Sequence, residues 1–176
     1  GAVLIFPGGG YNHRAYHEGD PIARRFNELG YHAFVLQYRV LPSTAPAAQL
    51  DAARAVKIIR ANAEKWCIAP DKIAVCGFSA GGHLASTIAT CAPFTLRPNF
   101  QILFYPVISM QEKKTHKGSM QSLLGPNPSI EEQKKYSNEN NVIRHLTPPA
   151  IMLLSQDDVV VPPANSIDYF TALTQK

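Results

Sequence analysis

The sequence predicts an α/β domain built on a doubly wound, mostly parallel sheet. Three observations predict it. Short apolar runs alternate along the chain with longer segments of helical period. The clearest of these runs, Ala2 to Phe6, is continuously apolar, as strands buried on both faces are. The 176 residues are 45% hydrophobic and 17% charged, which is enough apolar mass for one core and too little charge for a disordered tail.

The elements follow in order. Ala2 to Phe6 is a strand that ends at Pro7-Gly8-Gly9-Gly10. Asp20 and Pro21 read as the N-cap and first residue of a helix that runs to about Leu29 and stops at Gly30. Residues 33–37 form a second strand. Residues 47–66 are Ala-rich and periodic, with Leu50, Ala53, Val56, Ile59 and Ala63 on one helical face. A strand at 72–76 precedes a helix at 80–91. Strands at 101–105 and 150–154 and a helix at 164–173 complete the chain. Residues 109–149 break the rhythm: they are polar and contain Gly125-Pro126-Asn127-Pro128. They read as a lid-like insertion, with one or two short helices above the carboxyl ends of the strands. Residues 1–176 therefore read as a single domain with one insertion.

Charge and composition exclude several classes. The net charge of +4 is modest, and its densest cluster is Lys113, Lys114, His116 and Lys117. No aromatic residues are interleaved there, so it reads as a solvated loop and not as a nucleic-acid surface. No apolar stretch approaches the ~18 residues of a membrane span. Cys67, Cys76 and Cys91 are odd in number, with neither C-x-x-C nor zinc-like spacing, which leans toward a reducing, cytoplasmic compartment. Gly1 opens directly on a strand with no initiator Met, so the N-terminus reads as trimmed and a periplasmic or secreted destination stays open. Nucleotide signatures are missing, and His13 with His17 lacks a third ligand, so no cofactor and no metal are expected.

The chemistry-bearing motif is Cys76-Gly77-Phe78-Ser79-Ala80-Gly81-Gly82, a G-x-S-x-G between a strand and an Ala-rich helix. A sharp strand–turn–helix exposes the Ser79 hydroxyl at the top of the sheet. Gly77 and Gly81 are required where a side chain would strike neighbouring backbone. The Ala80 amide and the positive end of the following helix then face a developing oxyanion. The glycines after the first strand fit a second set of donors, from Gly9, Gly10 and Tyr11.

On these residues the chain resembles the esterase/lipase class of the α/β-hydrolase superfamily. Pro7 to Tyr11 resembles the His-Gly-Gly-Gly loop of the hormone-sensitive-lipase-like branch, with Pro7 in place of the His. Glu18-Gly19-Asp20-Pro21-Ile22-Ala23, Gly30-Tyr31-His32-Ala33-Phe34-Val35-Leu36 and Tyr38-Arg39-Val40 are similar to bacterial acetyl-xylan and feruloyl-type carbohydrate esterases. The resemblance implies an α/β-hydrolase fold with a triad in chain order Ser…Asp…His. It implies Asp158 as the acid, in Ser155-Gln156-Asp157-Asp158-Val159-Val160-Val161-Pro162, with Asp157 as the runner-up. It also implies a base His beyond the acid, yet no His follows Asp158 and the last is His145. The domain therefore reads as truncated at both ends, with the base in sequence outside these residues or absent.

The implied function is hydrolysis of short acyl esters through an acyl-enzyme on Ser79, with acetyl groups on polysaccharide sugars as the substrate class. A prolyl-oligopeptidase-type peptidase and a non-catalytic hydrolase-like protein are the alternatives. His13 is a candidate substrate contact, and His83 is expected to pack behind the serine turn. His32, His116 and His145 read as structural or solvated, and Arg39 with Asp51 as a scaffold ion pair. Tyr11 and Tyr105 are candidates to shape the pocket. Neither nucleic acid nor membrane is expected as a partner, and the oligomeric state is open.

Overall fold

The computed structural model describes residues 1–175. Five strands form one sheet: β1 (Ala2–Phe6), β2 (His32–Val35), β3 (Ile73–Phe78), β4 (Phe100–Phe104) and β5 (Ala150–Leu153). Their order is β2-β1-β3-β4-β5, and every pairing is parallel. Among the described residues six α-helices surround them: α1 (Asp20–Glu28), α2 (Ala47–Ala61), α3 (Ala80–Cys91), α4 (Lys117–Leu124), α5 (Ile130–Lys135) and α6 (Ala164–Gln175).

The sheet divides the core into two layers. Leu4, Phe6, Val75 and Leu103 point to the side where Val56 and Ile59 of α2, Leu84 and Ile88 of α3, and Tyr169 of α6 pack. Val3, Ile5, Cys76 and Phe78 point to the other side, where Ile22, Ala23 and Phe26 of α1 meet them. Because α1 and α2 lie on opposite faces, the chain winds outward from β1 to β2 and then back across to β3. The order reverses between β1 and β3, and in open α/β sheets ligands bind in the crevice at that point, beyond the carboxyl ends of the strands. The loop after β1 and the turn after β3 both open there. On the α1 side, Phe100, Ile151 and Leu153 remain 37%, 49% and 44% exposed. Register pairs Ile102 with Ile151 and Phe104 with Leu153, so these side chains form one apolar strip.

Local differences from the sequence reading have physical causes. Gly19, not Asp20, is the N-cap of α1, and Asp20 and Pro21 are its first two residues. Proline fits either early position because neither amide has a partner inside the helix. Helix α2 ends at Ala61, with Asn62 as C-cap, and turns carry the chain through Trp66. Its buried residues are Ala48, Ala52, Val56 and Ile59, while Leu50 is exposed. The inward stripe mixes the small Ala48 and Ala52 with Val56 and Ile59, and it packs against α3, so apolarity alone does not mark the buried face. Strand β3 extends two residues past Cys76, through Gly77 to Phe78.

Candidate active site

Ser79 is the N-cap of α3 and sits at φ 51°, ψ −118°, a sparsely populated conformation that costs on the order of 1–3 kcal/mol. The surroundings fix it from several sides. The Ser79 amide donates to the Phe104 carbonyl at 3.1 Å, and its carbonyl accepts from Val107 at 2.9 Å and His83 at 3.2 Å. Glycine is required where the turn is tightest. A Cβ on Gly81 would overlap the Phe6 carbonyl and reach the Pro7 carbonyl at 2.6 Å, and one on Gly77 would overlap the Gly81 carbonyl. The collision argued from the motif thus has named partners. The Ser79 side chain is half-buried and makes no hydrogen bond to another described residue.

The loop after β1 lies against the serine: a Cβ on Gly8 would stand 3.1 Å from Ser79 Cβ. It turns through Gly9, Gly10 and Tyr11, all at positive φ (118°, 62° and 58°). It is fastened at three points. The Tyr38 hydroxyl donates to the Pro7 carbonyl at 2.5 Å. The Gly8 amide donates to Glu18 Oε2 at 2.7 Å. The Tyr11 hydroxyl meets His83 Nδ1 at 2.8 Å. The loop's remaining internal bonds run from Asn12 and His13 to the Gly9 carbonyl and from Ala15 to the Gly8 carbonyl. The Gly9 and Gly10 amides take no part in them. Free backbone donors near a serine at a helix N-terminus are the parts from which anion-binding sites are built in general.

Asp158 lies in the turn after β5, at the same edge of the sheet. Its Oδ1 accepts from the Val160 and Val161 amides, both at 2.9 Å, which leaves Oδ2 without a hydrogen-bond partner among the described residues. Asp157 is exposed and accepts from the Ser155 hydroxyl, which holds its carboxyl below the usual range. Tyr105 stands between the two sides of the site. Its hydroxyl donates to Glu18 Oε1 at 2.9 Å, and burial first, then Glu18 and Asp158, push its pKa well up.

His83 is fully buried behind the turn. Its Nε2 lies 2.7 Å from the Tyr136 carbonyl, which can only accept, so Nε2 carries the proton and Nδ1 accepts from Tyr11. Burial pushes the imidazole down to about 4, against a smaller upward pull from the Tyr136 carbonyl. Above about pH 6.5 the imidazole is neutral folded and unfolded, and its contribution to stability is complete. Below that the unfolded chain takes the proton first, so stability falls by about 1.4 kcal/mol per pH unit until pH 4. Urea unfolding at pH 7 and pH 4.5 is expected to show this loss in the wild type and a shallower one in His83→Asn. Equal losses in both proteins would remove the assignment.

Two residues named from sequence fall elsewhere. His13 is exposed and lines a cleft of about 430 Å³ with Asn12, Arg14, Tyr16 and Gln37, a lining that includes neither Ser79 nor Asp158. The Tyr11 ring is buried edge-on between Tyr38 and His83, so only its backbone is available to a ligand. Sequence reasoning passed over Glu18, the buried carboxylate behind the loop. Its segment was read as a family marker, and nothing in the spacing tied it to Gly8. Of the two readings open for His116, structural or solvated, the structure gives the structural one. His116 is half-buried at the N-cap of α4, where Nδ1 accepts from the Ser119 amide at 3.2 Å. A Cβ on Gly10 would stand 3.9 Å from its ring. Arg39 and Asp51 form a forked pair at 2.8 to 3.1 Å that joins the end of β2 to α2. Among the described residues no group of three His, Cys, Asp or Glu is placed to hold a metal ion, and no helix is long and apolar enough to cross a membrane.

A strained serine at a strand-to-helix turn, facing a glycine loop at the switch point of a parallel sheet, defines the α/β-hydrolase class. The chain matches the alpha/beta hydrolase fold family over residues 3–165 and belongs to it. It is 41% identical to an acetylxylan esterase of Xylanibacter ruminicola across 98% of this chain and 37% of that protein. It is 37% identical to endo-1,4-beta-xylanase B of Butyrivibrio fibrisolvens across 99% of this chain and 29% of that protein. The chain therefore spans about a third of the length of these two relatives. Among solved structures, the acetyl ester-xyloside bifunctional hydrolase from Caldicellulosiruptor lactoaceticus matches with a TM-score of 0.93 at 41% identity, covering 99% of this chain and 68% of that one.

Proposed function

We propose that the protein is a serine carboxylic-ester hydrolase that removes short acyl groups, with acetyl groups on xylan-type polysaccharides as the natural class. One observation carries this reading: the loop beside Ser79 is fastened at Pro7, Gly8 and Tyr11, and the Gly9 and Gly10 amides between them take no part in its bonding. Such donors cost no reorganisation when charge develops, and each contributes roughly 10²–10³ in rate. In this reading Ser79 Oγ attacks the ester carbonyl carbon and its proton passes to a base imidazole. The carbonyl oxygen, now an oxyanion, accepts from the Gly9, Gly10 and Ala80 amides, with the Tyr11 amide adjoining. Collapse expels the sugar hydroxylate, which takes the proton back from the imidazolium. Water then repeats the sequence on the acyl-serine and releases the carboxylic acid. Asp158 orients the base and stabilises its charged form through the unpartnered Oδ2.

No histidine among the described residues bonds the Ser79 hydroxyl, and His83 has both ring nitrogens engaged. The base imidazole of this reading is accordingly not that of His83. The polysaccharide preference draws support from the names of the relatives. The direct test is acetate release from acetylated xylan by the full-length protein, beside p-nitrophenyl acetate, p-nitrophenyl palmitate and a prolyl-peptide anilide. Turnover of both acetyl esters, with little on the palmitate and none on the anilide, is expected. Cleavage of the anilide without acetate release would transfer the protein to the peptidase reading.

A further inference from the structure

His83 joins three parts of the molecule that sequence order keeps apart. It belongs to α3, the helix that begins at the serine turn. Its Nδ1 accepts from Tyr11, the last residue of the anion-binding loop. Its Nε2 donates to the backbone carbonyl of Tyr136, in the insertion just after α5. Around this centre the insertion is bound to α3 again: Asn138 Nδ2 donates to the His83 carbonyl at 3.0 Å and to Ser86 Oγ at 2.7 Å. No other group among the described residues hydrogen-bonds the Tyr11 side chain; the residue sits at φ 58° with its ring buried. A buried hydroxyl left without an acceptor costs about 1–3 kcal/mol. Tyr11 must therefore stay where Nδ1 is, and the Gly9 and Gly10 amides are set by the residue that follows them.

We propose that His83 is a positioning residue that sets the anion-binding loop through Nδ1 and docks the insertion through Nε2, so that one imidazole holds the oxyanion donors and the lid in a common register. It touches no substrate and exchanges no proton with one. The two bonds are separable by chemistry. Asparagine places its amide oxygen near the Nδ1 position and keeps the acceptor for Tyr11, but does not reach Tyr136. Glutamine places its amide nitrogen near the Nε2 position and keeps the donor to Tyr136, but offers Tyr11 no acceptor at Nδ1. Tyr11→Phe removes the loop bond from the other end.

The kinetic arm of the test rests on the ester-hydrolase reading and uses p-nitrophenyl acetate with the full-length protein. Tyr11→Phe and His83→Gln are expected to lower kcat by about 10–10²-fold with KM within about twofold, because displaced donors weaken the transition state alone. His83→Asn is expected to keep kcat within about twofold and to raise KM several-fold, because only the lid is loosened. The second arm is independent of activity. Hydrogen exchange should quicken in residues 8–14 for Tyr11→Phe and His83→Gln, and in residues 130–142 for His83→Asn. A merely structural role would lower the melting temperature of all three variants and leave kcat, KM and the segment pattern alike among them. That outcome overturns the proposal. An inactive wild type would defeat the ester-hydrolase reading, while the exchange pattern would still decide the role of His83.

Discussion

Replacing Ser79 by alanine is expected to abolish labelling by a fluorophosphonate and to lower acetyl-ester turnover by a factor on the order of 10⁶ in the full-length protein. The effect is chemical, not structural. The Ser79 hydroxyl caps no helix amide and bonds no neighbour, so its loss strands no donor. The backbone conformation is held by Phe104, Val107 and the close passage of Gly81 under Phe6, none of which involves the hydroxyl. Stability should therefore stay within about 0.5 kcal/mol of the wild type by urea unfolding. Mass spectrometry of the labelled wild type should place the probe on Ser79. Unchanged turnover in the alanine variant would remove the nucleophile assignment, whatever becomes of the fold.

The second large effect belongs to Asp158, the proposed acid. Asp158→Asn keeps an oxygen for the Val160 and Val161 amides, so the turn survives, but it can present an NH₂ where Oδ2 stood. An amide donor facing a base imidazole favours the wrong tautomer and cannot stabilise the imidazolium. The corresponding change in a serine protease costs about 10⁴ in kcat, and a loss of that order is expected here. Asp157→Asn should leave kcat within about threefold, because that carboxyl is exposed and bonds its own loop through Ser155. Steady-state kinetics on both variants check this. A reversed pair of effects would make Asp157 the acid and leave the remaining assignments standing.

Much of the fold was legible because its signals are local. The continuous run Ala2 to Phe6, the periodic segment from Ala47 and the glycines around Ser79 each report their own conformation. The positions of Ser79, Gly9 and Gly10 at one edge follow from strand alternation alone, since parallel strands put all their carboxyl ends together. What escaped was contact between residues far apart in sequence. Glu18 reaches Gly8 and Tyr105, and the partner of His83 is a backbone carbonyl 53 positions away, which carries no sequence signal. Leu50 reads as inward when apolarity stands in for burial, whereas the buried positions of α2 are Ala48, Ala52, Val56 and Ile59. The flanking lysines leave His116 undecided between a structural and a solvated role, and its ring caps α4 near Gly10.

The apolar strip on the α1 side of β4 and β5 governs how a chain of these residues behaves in a test tube. Phe100, Ile151 and Leu153 are exposed there beside the half-buried Ile102 and Phe104, and among the described residues strand β5 pairs on one side only. Water ordered over such a surface is released when two copies meet, so the colloidal behaviour of this polypeptide differs from that of a fully covered sheet. Sulfate and phosphate, which strengthen apolar association, push it toward precipitation, and cooling weakens the same attraction. Association over this strip, if it occurs, is read out as an apparent melting temperature that changes with protein concentration.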